Sequence, residues 1–243
     1  MKVFAYIAFS LALITSCTEQ YNIAGISSVR SLDGRMLYLR VNQGNDGVRV
    51  VNIDSCEVVH GRFSFYNNLD TIMMAQLFMG NESFMPLVLE SGDINVRVDH
   101  VGQRVSGGPL NDRLYKFVEK KNRLENKMWE LDQKCLRMMH EGHSPDAIRR
   151  IISPKAKKIA KQVEALETKF IKDNYDNPLG PGCFMLLFGQ YPLPVMTDQI
   201  RNIIKTASPA FLQNPFVNSY LRRARLNSYR RFEYELEDGD DFF

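Results

Sequence analysis

Apolar and polar residues alternate along residues 21–105, and this alternation predicts a β-rich region. Short apolar stretches follow one another at regular spacing, with turn residues between them. The Asp33-Gly34 pair lies between the stretches at residues 23–26 and 36–41, where it predicts a hairpin. Several short strands joined by turns are typical of an antiparallel β-sandwich or partial barrel.

The period of the apolar residues changes to three and four after residues 106–109, which predicts helices. The helical pattern covers residues 111–141, and Gly142 ends it. Ser144 and Pro145 then begin a second helix, with serine at the cap and proline in the first turn. Two long helices joined by a short glycine-containing loop form an antiparallel helical hairpin.

The C-terminal third predicts shorter elements. Residues 183–188 are expected to form a short buried helix or strand, and Thr197 is expected to cap a helix that ends near Ala207. Residues 208–215 predict a turn, and a last helix is expected over residues 216–235. The predicted fold class is therefore α+β, with an N-terminal antiparallel β-sandwich or partial barrel, a helical hairpin and further C-terminal helices.

The N-terminus carries a targeting signal. Lys2 precedes an apolar run over residues 3–14, which is shorter than the roughly 20 residues that span a bilayer. The following Ile14-Thr15-Ser16-Cys17 segment resembles the lipobox of bacterial lipoproteins, which makes Cys17 the expected lipidation site. Thr18 stands where aspartate would favour the inner membrane, so the expected location is the outer membrane facing the periplasm, with surface display left open.

The expected domain boundaries follow from these changes in pattern. They are a lipoprotein signal peptide at 1–16, a β-rich domain at 17–105 and a helical region at 106–243.

Composition restricts the classes of partner. The 243 residues are 44% hydrophobic and 24% charged, which is typical of a globular chain with a sizeable core. The formal net charge of +3 is too weakly basic for a nucleic-acid-binding protein. The expected partner is the membrane, through the lipid on Cys17, and another envelope protein is a further candidate.

The four cysteines do not form a redox or zinc motif. Lipidation of Cys17 leaves Cys56, Cys135 and Cys183, an odd number for a chain in an oxidising compartment. The sequence has no C-x-x-C segment, so it encodes no dithiol motif. Scattered cysteines of this kind are most often inert buried thiols, and that is the expectation here.

Other candidate chemical groups have simpler explanations. His140 and His143 are three residues apart across an expected helix end, which suits an exposed loop better than a zinc pair. Ser106 lacks the sequence context of a nucleophile, and a turn before a helix is expected. Glu90 and Asp93 are expected to be two solvated carboxylates in a turn between strands. No catalytic residue, metal site or cofactor site is predicted.

An arginine-rich segment has the densest positive charge. It could meet anionic lipid or an acidic partner, but pairing with nearby glutamates along a solvated helix is expected. The arginines are Arg222, Arg223, Arg225, Arg230 and Arg231, and the glutamates are Glu233, Glu235 and Glu237.

Four segments in order carry a family resemblance. The chain resembles lipoproteins of the Bacteroidetes with an N-terminal domain of unknown function, DUF4369, which usually precedes the catalytic part of membrane-anchored thiol–disulfide oxidoreductases. The segments are Ile53-Asp54-Ser55 with Gly61-Arg62-Phe63-Ser64-Phe65, Leu89-Glu90-Ser91-Gly92-Asp93-Ile94, Val105-Ser106-Gly107-Gly108-Pro109-Leu110-Asn111-Asp112, and Asn177-Pro178-Leu179-Gly180.

This chain departs from the redox members of that family, in which a thioredoxin-like domain with a C-x-x-C follows. Here the sequence ends at Phe243, and no dithiol is present. The sequence therefore favours a lipid-anchored envelope protein of non-catalytic binding or scaffolding type. The alternative is an accessory component of a periplasmic thiol–disulfide system, in which Cys56 or Cys183 could form a mixed disulfide with a catalytic dithiol on another chain.

Overall fold

The computed structural model of the chain describes residues 19–43 and 49–237, with side chains described as far as Ser228. Cys17 and the expected signal peptide lie outside the described residues.

The N-terminal region forms two four-stranded sheets, counted over the described residues. In the first sheet the strand order is β4-β1-β7-β8, and in the second it is β3-β2-β5-β6. The strands are β1 Gln20–Ser27, β2 Met36–Gln43, β3 Arg49–Glu57, β4 Arg62–Asn68, β5 Met73–Met79, β6 Glu82–Leu89, β7 Gly92–Val98 and β8 Gln103–Ser106.

Alternation of apolar residues places one face of each sheet in a shared core. Tyr21 and Ile23 of β1 are buried while their neighbours are exposed. In β2, Leu37 and Leu39 are buried and the residues that follow each of them are half-buried. Phe63 and Phe65 share the buried face of β4, with their ring centroids 6.2 Å apart. The predicted β-rich sandwich is therefore confirmed.

The strand pairing differs from a simple antiparallel meander. β1 pairs in parallel with β7, with Tyr21 opposite Gly92, while the other pairs are antiparallel. Parallel pairing is possible because five strands intervene between β1 and β7, so the connection is long enough to return in the same direction.

The hairpin predicted at Asp33-Gly34 is wrong. Both edges of β1 are occupied by β4 and β7, so β2 starts the other sheet instead of pairing with β1. Asp33 accepts a hydrogen bond from the backbone N–H of Gly61 at 3.0 Å, and the Gly34 N–H donates to the carbonyl of Val58. This Asp-Gly pair therefore belongs to a crossover between sheets.

Six helices follow among the described residues. They are α1 Pro109–His140, α2 Pro145–Lys172, α3 Leu179–Phe188, α4 Asp198–Ile204, α5 Pro209–Gln213 and α6 Pro215–Glu237. Ser144 caps α2 and Thr197 caps α4, as predicted, each accepting from a backbone N–H three residues later. The turn predicted over residues 208–215 is wrong, because Ser208 caps a short helix in the same way.

Aromatic side chains hold the C-terminal helices together. The buried ring of Phe184 on α3 lies 5.7 Å from Phe211 on α5 and 5.3 Å from Tyr220 on α6, measured between centroids. These residues belong to the same hydrophobic core as the two sheets. Within the described residues, no helix is long and apolar enough to cross a membrane.

Candidate functional site

A buried carboxylate sets the starting point of α1. Glu90 is only 4% exposed, and it accepts hydrogen bonds from the backbone N–H groups of Leu110 at 3.1 Å and Asn111 at 2.8 Å. The side-chain amide of Asn111 donates to the same carboxylate and to the carbonyl of Val88, and its oxygen accepts from the Val88 N–H. The expectation that Glu90 is solvated is therefore wrong.

The Glu90 carboxylate is buried because the first turn of a helix offers unpaired N–H donors that favour a negative charge. Gly108 lets the chain approach closely, since its φ is +91° and a Cβ there would lie 2.4 Å from Oε1 of Glu90. Asp93, the other carboxylate of the predicted pair, is exposed and accepts from Asn22 at 2.9 Å. The chain does turn before the helix, at Gly107 and Gly108, while Ser106 is the last residue of β8.

The direction of α1 follows from its contacts with the sandwich. Its start lies at Glu90, next to Gly92, the first residue of β7, which pairs with Tyr21 at the start of β1. Ten residues further along α1, Glu119 forms an ion pair at 3.2 Å with Arg104 of β8, which lies opposite Arg97 near the end of β7. The helix therefore runs in the same direction as β1, away from the N-terminal end of the described chain.

Side-chain contacts join the two helices of the hairpin near its base. Phe117 of α1 stacks on Phe170 of α2 with centroids 4.2 Å apart, and Arg113 donates to Asn174 at 2.9 Å. At a rise of about 1.5 Å per residue, the 21 residues from Glu119 to His140 extend about 30 Å further. We call residues 123–163 the helical arm.

A partly buried ion pair lies where the helical arm leaves the body. Lys121 Nζ is 3.1 Å from Glu167 of α2 and 3.5 Å from Glu125. Burial lowers the pKa of Lys121, but the hydrogen bond and charge of Glu167 outweigh it, so the pKa lies above its ordinary value. Gln199 of α4 donates to the same carboxylate at 3.3 Å, which joins three helices at the base of the arm.

The helical arm has a small core of its own. Leu131 and Met138 of α1 and Ile148 of α2 are buried, but they are not part of the main hydrophobic core. Because only two helices meet here, other inward-facing side chains such as Met128 and Ile159 are half-buried. The arm is therefore a two-helix projection with little covering on its outer faces.

The α2 side of the helical arm is strongly basic. Residues 147–163 contain six lysines and arginines and no acidic residue, and all six are exposed. Arg150, Lys157 and Lys161 recur at spacings of seven and four, so they share one face of α2. Among these six basic residues, the described structure shows an ion pair for Arg149, whose guanidinium lies 3.7 Å from the carboxylate of Asp146.

Large apolar side chains are exposed on the α1 side of the same arm. Trp129 is 62% exposed, and Leu136 and Met139 are each 57% exposed. Trp129 and Leu136 are seven residues apart and lie on one helix face. The sequence did not predict this surface, because apolar residues at this spacing are equally typical of a helix face that packs in a core. The two cases can be distinguished only when the neighbouring elements are known.

Burial makes the thiols of Cys56 and Cys183 poor nucleophiles. Burial raises the pKa of Cys183 to about 12 and that of the half-buried Cys56 to about 11, with the charge of Asp54 adding to the effect on Cys56. Cys135 is half-buried between the arm helices, and none of the three forms a disulfide. A mixed disulfide requires a thiolate, so these pKa shifts argue against an exchange role.

Alkylation of Cys56 at neutral pH is expected to be slow and strongly pH-dependent. With a pKa of about 11, only about one molecule in ten thousand carries the thiolate at pH 7, and this fraction should rise about tenfold per pH unit up to pH 10. Mass spectrometry after timed iodoacetamide treatment measures the rate, with Cys183 as the slower internal reference. A rate that levels off near pH 9 would show that the pKa of Cys56 is ordinary.

The remaining candidate residues do not come together as a site. His140 and His143 are exposed at the tip of the arm, and His143 lies 3.4 Å from Glu141. The described residues hold no group of three or more potential metal ligands. Arg222 and Arg225 are exposed and Arg223 is half-buried, while the side chains of the other predicted cluster members lie beyond the described ones.

A comparison with known families finds a match in the N-terminal part of the chain. Residues 21–114 match the family model described as "Domain of unknown function (DUF4369)". The matched residues are those of the sandwich and the start of α1, the region in which the resemblance placed this domain. No curated protein matches the chain.

Proposed function

We propose that this chain is a lipid-anchored envelope protein of non-catalytic scaffolding type, whose helical arm binds a partner protein with an acidic surface. The observation that carries the proposal is the direction of the arm. Cys17 precedes Glu19 by two residues, so its Cα lies within about 7 Å of that of Glu19, where the described structure begins. Anchored there, the protein extends its basic arm away from the membrane.

The chemistry of the arm supports a protein partner. Tryptophan, arginine and methionine are enriched at interfaces, and tryptophan and arginine dominate the residues that lose most binding energy when truncated. The basic face around Lys157 attracts an acidic partner and speeds its encounter. The exposed Trp129 and Leu136 supply apolar area that can be desolvated once the partner is bound.

Charge reversal on the basic face is expected to remove the partner. A photo-crosslinking residue at position 136 of the full-length protein, in its own cells, should give one discrete adduct. Changing Arg150, Lys157 and Lys161 to glutamate should reduce that adduct at least tenfold, because like charges placed opposite each other cost several kcal/mol. The adduct yield is measured by gel shift and identified by mass spectrometry.

A matched variant controls for net charge. Changing Lys205, Arg222 and Arg225 to glutamate reverses three exposed charges on the C-terminal helices and should leave the adduct unchanged. Trp129 is the single tryptophan of the chain, so its emission should shift to shorter wavelength when the identified partner is added. An adduct that survives reversal of the arm charges, or an emission spectrum that does not change, would refute the proposal.

A further inference from the structure

A cleft of about 610 Å³ lies where the second sheet meets the C-terminal helices. The sheet contributes Asn42 of β2, Gln76 of β5 and Ser83 of β6. The helical side contributes Arg223 of α6 and the segment after α3, with Gln190 and Tyr191. The volume is in the range of small-molecule sites, which are commonly found between two structural layers.

Arg223 is the charged residue of this cleft. Its Nε atom is buried and has no hydrogen-bond acceptor among the described residues. The described residues also place no carboxylate within ion-pair distance of its guanidinium. A buried donor without an acceptor is destabilising and rare in native proteins, and the described residues supply this guanidinium with no compensating negative group.

The position of Arg223 on α6 brings its side chain to the cleft. Val217, Tyr220, Leu221 and Ala224 form the buried face of α6, which places Arg223 at the edge of that face. The hydroxyl of Tyr220 donates a hydrogen bond to the backbone carbonyl of Val195. Burial raises the pKa of Tyr220, while the hydrogen bond with Val195 and the nearby charge of Arg223 lower it. The cation therefore lies between the buried face of α6 and the cleft.

The walls of the cleft define the rest of the ligand. Ser83 donates to Gln76 at 2.5 Å, which leaves the amide nitrogen of Gln76 available as a donor. The amides of Asn42 and Gln190 add further donors and acceptors. Val50, Met185 and Pro192 supply an apolar wall, so the cleft suits an anionic head on a compact apolar body.

We infer that this cleft binds a small ligand carrying a carboxylate or phosphate group, with Arg223 as its principal contact. A guanidinium binds both groups with two parallel hydrogen bonds, so the anionic head is the shared chemistry. This site is separate from the helical arm, and its occupation does not depend on the function proposed for the arm.

Calorimetry with the full-length protein in dodecyl maltoside tests the inference, using benzoate, phenyl phosphate and benzamide as probes. We expect benzoate or phenyl phosphate to bind at least tenfold more tightly than the uncharged benzamide. The better of the two anions shows whether the natural ligand carries a carboxylate or a phosphate. No binding by either anion, or equal binding by benzamide, would overturn the inference.

Variants on one helix turn complete the test. Arg223→Gln should weaken binding of the better anion at least tenfold, and Arg222→Gln, which removes the neighbouring exposed charge, should leave it unchanged. Thermal unfolding shows whether each variant is folded. If Arg223→Gln does not fold, the comparison of the anions with benzamide on the unaltered protein still tests whether the cleft binds an anion. Equal affinity in the two variants would show that Arg223 does not hold the ligand.

Discussion

Glu90→Ala is expected to lower the free energy of unfolding by about 3 kcal/mol or more. The change removes a buried carboxylate that accepts from the N–H groups of Leu110 and Asn111 and from the Asn111 side chain. Each buried donor left without an acceptor costs about 1–3 kcal/mol, and the helix start also loses a favourable negative charge. Urea unfolding followed by circular dichroism measures the effect.

Asp93→Ala is the matched control, since it removes the other carboxylate of the same turn. Asp93 is exposed and accepts one hydrogen bond, from Asn22, so the expected loss is within about 0.5 kcal/mol. Glu90→Gln should fall between the two, because it keeps an acceptor oxygen but turns an amide donor toward other donors. Similar losses for Glu90→Ala and Asp93→Ala would show that the buried carboxylate does not secure α1.

The sequence predicts elements well where the pattern is local. Alternation in β1 and β2 and the three-four spacing in α1 and α2 report directly which side chains face the core. The serine and threonine caps are equally local, because Ser144 and Thr197 each satisfy an N–H three residues later. These features do not depend on which strand or helix lies next to them.

Pairing and burial across long separations could not be predicted in the same way. Asp33-Gly34 has the composition of a hairpin turn, but β4 and β7 already occupy both edges of β1. Glu90 lies in a turn, where a carboxylate is usually solvated. It is buried only because the start of α1, some twenty residues later in the chain, packs against it. In both cases the competing partner is distant in sequence and leaves no local signal.

The two candidate surfaces show the same limit. Trp129 and Leu136 have the spacing of core residues, and the exposed surface appears only once α2 is seen to cover a different face. Arg223 belongs to a visible arginine cluster, but its place in one cleft with Gln76 and Ser83 depends on how α6 meets the second sheet. The residue types were visible in the sequence in each case, and the fold determined which of them reach an exposed surface or line a cleft.

Cys17→Ser is expected to abolish fatty-acid attachment to the protein. The change removes the thiol that the lipobox-like segment offers for acylation, and several fatty chains on one residue are needed for stable anchoring. The product should be either a soluble mature protein or an uncleaved precursor, which differ in mass by the signal peptide. Metabolic labelling with a fatty-acid analogue, followed by fractionation of membranes, measures both outcomes.

Cys56→Ser is the matched control, because it removes a different thiol by the same substitution and should keep full label. The fold of the Cys17→Ser protein should not change, since the first hydrogen bonds of the described structure begin at Glu19, whose carbonyl accepts from Leu69. Equal label in Cys17→Ser and in the unaltered protein would refute the anchor. It would also remove the reason for expecting the helical arm to point away from a membrane, because that orientation follows from attachment at the start of β1.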